Sequence, residues 1–77
     1  MVKKVILYTT PLCPQCERTK RFLKEKGIKY TVVDVFKDQK KAEEIFERSG
    51  KKVVPIIEIG ENLIVGFNKK IIEKSLE

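Results

Sequence analysis

The chain has 77 residues and a formal net charge of +6, from 17 lysines and arginines against 11 aspartates and glutamates. This length allows one domain, residues 1–77, with a small core. The 42% content of hydrophobic residues is typical of a globular domain and excludes a disordered tail. The lysines alternate with glutamates and no aromatic residues interleave a basic stripe, which indicates solvated helix faces and no binding to nucleic acid.

The first half of the chain predicts a strand, a helix and a second strand. Residues 2–8 predict a buried strand, because the β-branched Val2 precedes an apolar run at residues 5–8. The apolar run behind the charged start is too short for a signal peptide or a membrane span, so we expect a cytoplasmic protein without membrane contact. Pro14 favours the first position of a helix, Gly27 favours its end, and residues 29–35 predict the second strand. The inward positions of this helix are Cys16, Thr19, Phe22 and Leu23.

The second half predicts a helix, a hairpin and a last helix. Asp38 can cap a helix that Gly50 ends, and Gly60-Glu61 lies between two apolar runs, as in a hairpin. Asn68 can cap the last helix. The inward positions of the two helices are Ala42, Ile45, Phe46 and Ser49, then Ile71, Ile72, Ser75 and Leu76. We expect a core that includes Phe22, Leu23, Ile45, Phe46, Ile56, Ile71 and Leu76, with Tyr8 packed beside the site.

The order βαβαββα predicts an α/β fold. A strand–helix–strand start implies a parallel pair with a right-handed crossover, and the hairpin adds an antiparallel pair. The prediction is a four-stranded mixed sheet with three flanking helices.

Cys13 and Cys16 are the two cysteines of the chain, separated by Pro14 and Gln15. They are open to three interpretations: a redox pair, half of a metal site, or two small hydrophobic residues. A close pair in a cytosolic protein is typical of redox or metal chemistry, and the loop between them is too short for a stabilising disulfide. The chain has no histidine and no second cysteine pair, which excludes Cys–His catalysis and a self-contained zinc site. We therefore expect no metal and no cofactor.

The two cysteines are predicted to differ in their surroundings. Cys13 falls at the helix N-cap and Cys16 one turn later, with Cα atoms about 5 Å apart, within the range of a disulfide. The free N–H groups of the first turn, helped by Arg18 and Lys20, lower the pKa of the Cys13 thiol. We expect Cys13 to attack a substrate disulfide and the less exposed Cys16 to resolve the mixed disulfide.

Three segments resemble the glutaredoxin branch of the thioredoxin fold, and the resemblance covers nearly the whole chain. They are "YTTPLCPQC", the strand and active-site loop; "VVPIIEIG", the cis-proline segment; and "VGFNKKI", the opening of the last helix. The resemblance implies a thioredoxin-like fold and a cis Val54–Pro55 bond beside Cys13, although the residues alone show only a proline tolerated at a strand's first position. It also implies a set of substrate-binding residues: Val54, Pro55, Gly66, Phe67 and Asn68.

The chain departs from glutathione-dependent glutaredoxins at several of their positions. Gln15 stands where they usually have tyrosine, Thr10 where they commonly have lysine, and Val53 where they have threonine. Residues 65–69, "VGFNK", lack one glycine and the acidic group that binds glutathione. Gln15 and the Gly66-Phe67 pair instead resemble NrdH-type redoxins, which thioredoxin reductase reduces and which supply electrons to ribonucleotide reductase.

The resemblance therefore implies a small dithiol–disulfide oxidoreductase that reduces protein disulfides. Its expected partners are a disulfide-containing protein, with ribonucleotide reductase as a candidate, and thioredoxin reductase or glutathione as reductant. Nothing in the sequence demands more than a monomer. Two alternatives stay open: a glutathione-dependent glutaredoxin, and a dimeric scaffold for an iron–sulfur cluster to which each subunit donates Cys13.

Overall fold

The structure, a computed structural model, describes residues 4–76. The predicted order of elements and the mixed sheet are confirmed. The strands are β1 (Val5–Thr9), β2 (Thr31–Asp34), β3 (Ile56–Ile59) and β4 (Asn62–Val65), and the helices are α1 (Pro14–Glu25), α2 (Gln39–Ser49) and α3 (Lys69–Leu76).

The sheet has the strand order β2-β1-β3-β4. β1 pairs parallel with β2, antiparallel with β3, and β3 pairs antiparallel with β4. Thr9 therefore lies opposite Asp34, and Ile56 lies opposite Val65. These four residues mark one end of the sheet, which we call the cysteine end because β1 leaves it toward Cys13.

Side-chain alternation along the strands divides the core between the two faces of the sheet. On one face, α1 and α3 pack against β1, β3 and β4. The buried residues there are Val5, Leu7, Phe22, Leu23, Ile57, Ile59, Ile64 and Ile72. On the other face, α2 covers a smaller cluster of Tyr8, Val33, Val35, Ala42, Ile45 and Ile56.

The first two strands differ from their predicted bounds. β1 was predicted over residues 2–8 but continues to Thr9, and residues 2 and 3 lie outside the described residues. The second strand was predicted over residues 29–35 but ends at Asp34. The Asp34 carboxylate accepts the backbone N–H groups of Phe36 and Lys37 at 2.9 and 3.3 Å, which turns the chain out of the sheet.

The predicted helix ends are confirmed. Gly27 follows α1 and Gly50 ends α2, both with the left-handed backbone (φ 71° and 75°) that glycine adopts without a steric penalty. The Asp38 carboxylate accepts the Lys41 N–H at 3.1 Å to cap α2.

The prediction of Ile71 as a core residue is wrong. Its side chain is 48% exposed, whereas the neighbouring Ile72 is fully buried against the sheet. α3 has eight residues, and successive helical residues are rotated by about 100°, so only one of the two isoleucines can face the sheet. Phe46 and Leu76 are half-buried and pack at the border of the core.

Within residues 4–76, the three helices are too short or too polar for any of them to cross a membrane.

The adjacent isoleucines of α3 give a matched test of this packing. Ile72→Ala should lower the free energy of unfolding by about 2–5 kcal/mol, because it leaves a cavity beneath α3. Ile71→Ala should change it by less than about 1 kcal/mol, because its side chain already contacts solvent. Urea unfolding of the two variants measures both values. Equal losses would contradict the placement of α3.

Candidate active site

The site is built on the junction between β1 and α1. The chain leaves the cysteine end of the sheet at Thr9 and reaches Cys13 after three residues. Cys13 has an extended backbone (φ −113°, ψ 104°) and is the N-cap of α1, with Pro14 at the first helical position. The predicted placement of both residues is confirmed.

Cys13 and Cys16 are joined by a disulfide in this structure, with their Cα atoms 5.2 Å apart. Cys16 is only 1% exposed and belongs to the buried face of α1, whereas Cys13 is half-buried. A molecule approaching from solvent therefore reaches the sulfur of Cys13 before that of Cys16.

The first turn of α1 directs a hydrogen-bond donor at the Cys13 sulfur. Pro14 has no N–H, and the Glu17 N–H donates to the Cys13 carbonyl at 3.1 Å. The Cys16 N–H donates to Cys13 Sγ at 3.2 Å. The sulfur thus occupies the place that a side-chain oxygen takes in an ordinary N-cap, at the positive end of the helix dipole.

Gln15 lies between the cysteines and is exposed. Its carbonyl accepts the hydroxyl hydrogen of the buried Thr19 at 2.8 Å, which fixes the second turn of the helix. Gln15 is therefore held in the helix by its backbone and remains exposed to solvent between the two cysteines.

The Val54–Pro55 peptide bond is cis, as the family resemblance implied. Pro55 is buried and directly precedes β3, and Gly66 directly follows β4. The Gly66 N–H donates to the Pro55 carbonyl at 2.8 Å, which ties the two segments together at the cysteine end of the sheet. Val54 is half-buried beside them.

Phe67 and Asn68 lie between β4 and α3, but they do different things. The Phe67 ring packs edge-to-face against Phe22 of α1, with ring centroids 5.9 Å apart. The Asn68 side-chain oxygen accepts the Ile71 N–H at 3.2 Å, so the predicted cap of α3 is confirmed. Contact between these residues and a substrate stays a prediction.

An apolar rim lies at the cysteine end of the sheet, and the sequence did not reveal it. It consists of Leu12, Phe36, Val53 and Val65, which are 101%, 73%, 46% and 36% exposed. Leu12 follows β1 and Phe36 follows β2, whereas Val53 precedes β3 and Val65 ends β4. The register places all four of these strand ends at the cysteine end. Leu12 also has a left-handed backbone (φ 58°), which is uncommon for a residue with a branched side chain.

No group of three or more histidine, cysteine, aspartate or glutamate side chains within the described residues could hold a metal ion.

The glutaredoxin family model matches residues 5–64, which include both cysteines and the cis-proline. The chain belongs to the glutaredoxin family. It is a glutaredoxin-like redox protein with a cysteine pair at C-x-x-C spacing, and its family catalyses thiol–disulfide exchange. Glutaredoxin-family proteins act on disulfide substrates and draw electrons from reductants such as glutathione or thioredoxin reductase.

Individual relatives agree with this assignment. A glutaredoxin-like 8.6 kDa protein in the rubredoxin operon of Clostridium pasteurianum is 46% identical over 71 residues, covering 92% of this chain and 95% of the relative. The glutaredoxin of Archaeoglobus fulgidus superposes with a TM-score of 0.88 at 28% identity, over 97% and 87% of the two chains. The Escherichia coli NrdH-redoxin superposes with a TM-score of 0.85 at 25% identity, over 92% of each chain.

Tyr8 belongs to a polar network on the α2 face of this glutaredoxin fold. Its hydroxyl donates to Glu58 Oε1 at 3.2 Å, and Arg48 donates to the same oxygen at 3.0 Å. Burial raises the pKa of Tyr8, and the Glu58 carboxylate raises it further, while Arg48 partly opposes this. Sequence reasoning missed the network, although a glutamate among the isoleucines of β3 was a visible signal.

This network predicts a pH dependence of stability. Above its ordinary pKa of 10.0, Tyr8 releases its proton more readily in the unfolded chain than in the folded one. Stability should therefore fall as the pH rises from that value through the raised folded pKa. Tyr8→Phe should be less stable at neutral pH, by about 1 kcal/mol for one hydrogen bond, but should lose less stability above pH 10. Thermal unfolding between neutral pH and pH values above 10 measures how the stability of each protein changes with pH. An equal loss of stability in the unchanged protein and in Tyr8→Phe would contradict the raised pKa of Tyr8.

Proposed function

We propose that this protein reduces disulfides in other proteins, with Cys13 as the attacking and Cys16 as the resolving cysteine, and that thioredoxin reductase returns the electrons. The observation that carries the proposal is the half-buried Cys13 at a helix N-terminus, bonded to a fully buried Cys16, with the apolar rim at the same end of the sheet. We further propose that residues 1–77 act as one domain, in the reducing cytoplasm.

The reaction begins from the dithiol form. The Cys13 thiolate attacks one sulfur of the substrate disulfide, a Cys13–substrate bond forms, and the other substrate sulfur leaves as a thiolate that takes up a proton. Cys16 then loses its proton and attacks Cys13, forming the Cys13–Cys16 disulfide of this structure and releasing the second substrate thiol. Two electrons pass to the substrate, and a reductant restores the dithiol.

The helix start explains why Cys13 is the nucleophile in this scheme. In the dithiol form, the Cys16 N–H that now donates to Cys13 Sγ is in place to donate to a thiolate. A hydrogen bond to the charged form and the helix dipole both lower the pKa of a thiol. Cys16 lies inside the first turn of the helix, not at its N-cap, and is shielded from solvent.

The apolar rim supports a protein as the substrate. Exposed leucine and phenylalanine side chains at the end of the sheet that carries the reactive cysteine offer contact area to a protein surface, which a small polar thiol cannot cover. Leu12 is the clearest case, because it is fully exposed, adjacent to Cys13, and held in a backbone conformation that is unfavourable for leucine. We expect the backbone of Val54, beside the cis-proline, to pair with the substrate chain as a strand would.

The residues after β4 support thioredoxin reductase over glutathione. The Asn68 side-chain oxygen is engaged as the cap of α3, and Lys69 adds a positive charge where a γ-glutamyl ammonium would need a negative one. Val65 places an exposed side chain where glutathione-dependent members have glycine. The similar NrdH-redoxin of Escherichia coli is described as having a thioredoxin-like activity profile, and by this likeness ribonucleotide reductase is a candidate substrate.

The cysteine roles predict a trapped intermediate. Cys16→Ser should accumulate a mixed disulfide between Cys13 and a protein substrate such as insulin, because the resolving thiol is absent. Cys13→Ser should form none, because Cys16 is buried. Mass spectrometry of the non-reduced products measures both. Equal trapping by the two variants would contradict the assignment.

The choice of reductant is tested on the oxidised protein. With NADPH and thioredoxin reductase, free thiols should appear on both cysteines, whereas NADPH, glutathione and glutathione reductase should release them at least about tenfold more slowly, which corresponds to about 1.4 kcal/mol. Reduction by glutathione alone would overturn the choice of reductant. The variant Lys69→Asp in the same assay tests whether the Lys69 charge disfavours glutathione. It should increase the rate at which glutathione reduces the protein.

A further inference from the structure

We propose that a basic groove between α1 and α3 binds an acidic segment of the protein whose disulfide is reduced. This inference rests on the proposed function and names the chemistry of its partner. The groove has a volume of about 430 Å³ and is lined by Arg18, Arg21, Phe22, Glu25, Phe67 and Lys69.

Two aromatic rings make the groove partly apolar, and three cations make it positively charged. Phe22 and Phe67 pack edge-to-face and join the two helices. Arg18 and Arg21 come from α1 and Lys69 from the first turn of α3, with Glu25 as the one acidic lining residue. The groove therefore combines an apolar surface with a positive net charge.

The cations of the groove form no ion pair with a carboxylate of residues 4–76. Among residues 4–76, no carboxylate lies within 4.0 Å of the charged nitrogens of Arg18, Arg21 or Lys69, although neighbouring lysines do form ion pairs, Lys20 with Glu17 and Lys26 with Glu73. Lys69 instead lies over the Phe22 ring, 6.0 Å from its centroid. Nearby like charges repel one another, and an incoming carboxylate relieves that repulsion.

The groove runs along the face of α1 that begins next to Cys13. Arg18 and Arg21 follow Pro14 by four and seven residues, so at 100° per residue they lie on the helix face that begins beside Cys13. Their distances from Pro14 along the axis are about 6 and 10 Å. A substrate chain that follows α1 in extended form advances about 3.3 Å per residue, so its acidic side chains two to four residues from the substrate cysteine would reach both arginines.

An acidic protein segment suits this lining better than other ligands. Arginine guanidinium groups bind carboxylates through two parallel hydrogen bonds. The Phe67 and Phe22 rings offer contact to apolar side chains between the acidic ones. Glutathione also carries carboxylates, but its ammonium group would meet Lys69, so glutathione is treated as a competing outcome of the test.

The test uses two synthetic peptides that share one intramolecular disulfide. One carries glutamates, the other lysines, two to four residues from the first cysteine. The dithiol protein should reduce the acidic peptide with a kcat/KM about tenfold higher at low salt, within the range of electrostatic steering. The difference should lie in KM, because the groove does not touch the reacting sulfurs, and it should shrink at high salt.

Charge-neutral variants locate the effect. The double variant Arg18→Gln, Arg21→Gln should lose the preference for the acidic peptide, so that it reduces the two peptides with the same kcat/KM. The matched control is Lys4→Gln, Lys29→Gln, which removes two exposed cations at the opposite end of the sheet and should keep the preference. Circular dichroism confirms that both variants fold, as expected for exposed side chains.

The outcomes separate the two proposals. Equal reduction of both peptides by the unchanged protein overturns the groove but leaves protein-disulfide reduction standing. Loss of the preference in both double variants assigns it to net charge and also overturns the groove. If the arginine variant loses reduction of glutathione disulfide and not of the acidic peptide, the groove is a glutathione site. Reduction of neither peptide contradicts the proposed function itself.

Discussion

The start of α1 is the constraint on which the rest of the structure depends. One helical turn must present Cys13 to solvent and bury Cys16, with their Cα atoms close enough for a disulfide. Pro14 is at the first helical position, which its fixed φ and missing N–H favour, and this leaves Cys13 as the N-cap. The Cys16 N–H then faces the Cys13 sulfur as a consequence of helix geometry, without any additional charged side chain.

The sheet places the cis-proline segment and the segment after β4 at the end where α1 begins. Because β3 runs antiparallel to β1, the cis Val54–Pro55 bond precedes β3 at the same end where β1 turns toward Cys13. Because β4 returns beside β3, Gly66 reaches that end as well and its N–H bonds to Pro55. Strand register thus brings three segments that are distant in sequence to the same end of the sheet.

The two faces of the sheet carry charge for different purposes. On the α2 face, Arg48, Glu58 and Tyr8 form a closed network in which each polar group has a partner, and this network contributes to stability. On the α1–α3 face, Arg18 and Arg21 line a groove without carboxylate partners among the described residues. The first set is paired within the protein, whereas the second has no ion-pair partner among the described residues.

The sequence by itself determined the features that depend on neighbours in the chain. Cysteine spacing, Pro14, the glycines after α1 and α2, and the caps Asp38 and Asn68 were all predicted correctly, since each acts within one turn of helix. Tertiary structure decided the features that require two elements to meet. The end of β2 at Asp34, the exposure of Ile71, the Tyr8–Glu58–Arg48 network and the groove beneath Phe67 belong to this group. Helical periodicity shows that a side chain shares a face with others, but which face meets the sheet, and which distant charge lies beside it, follows only from how the helices pack.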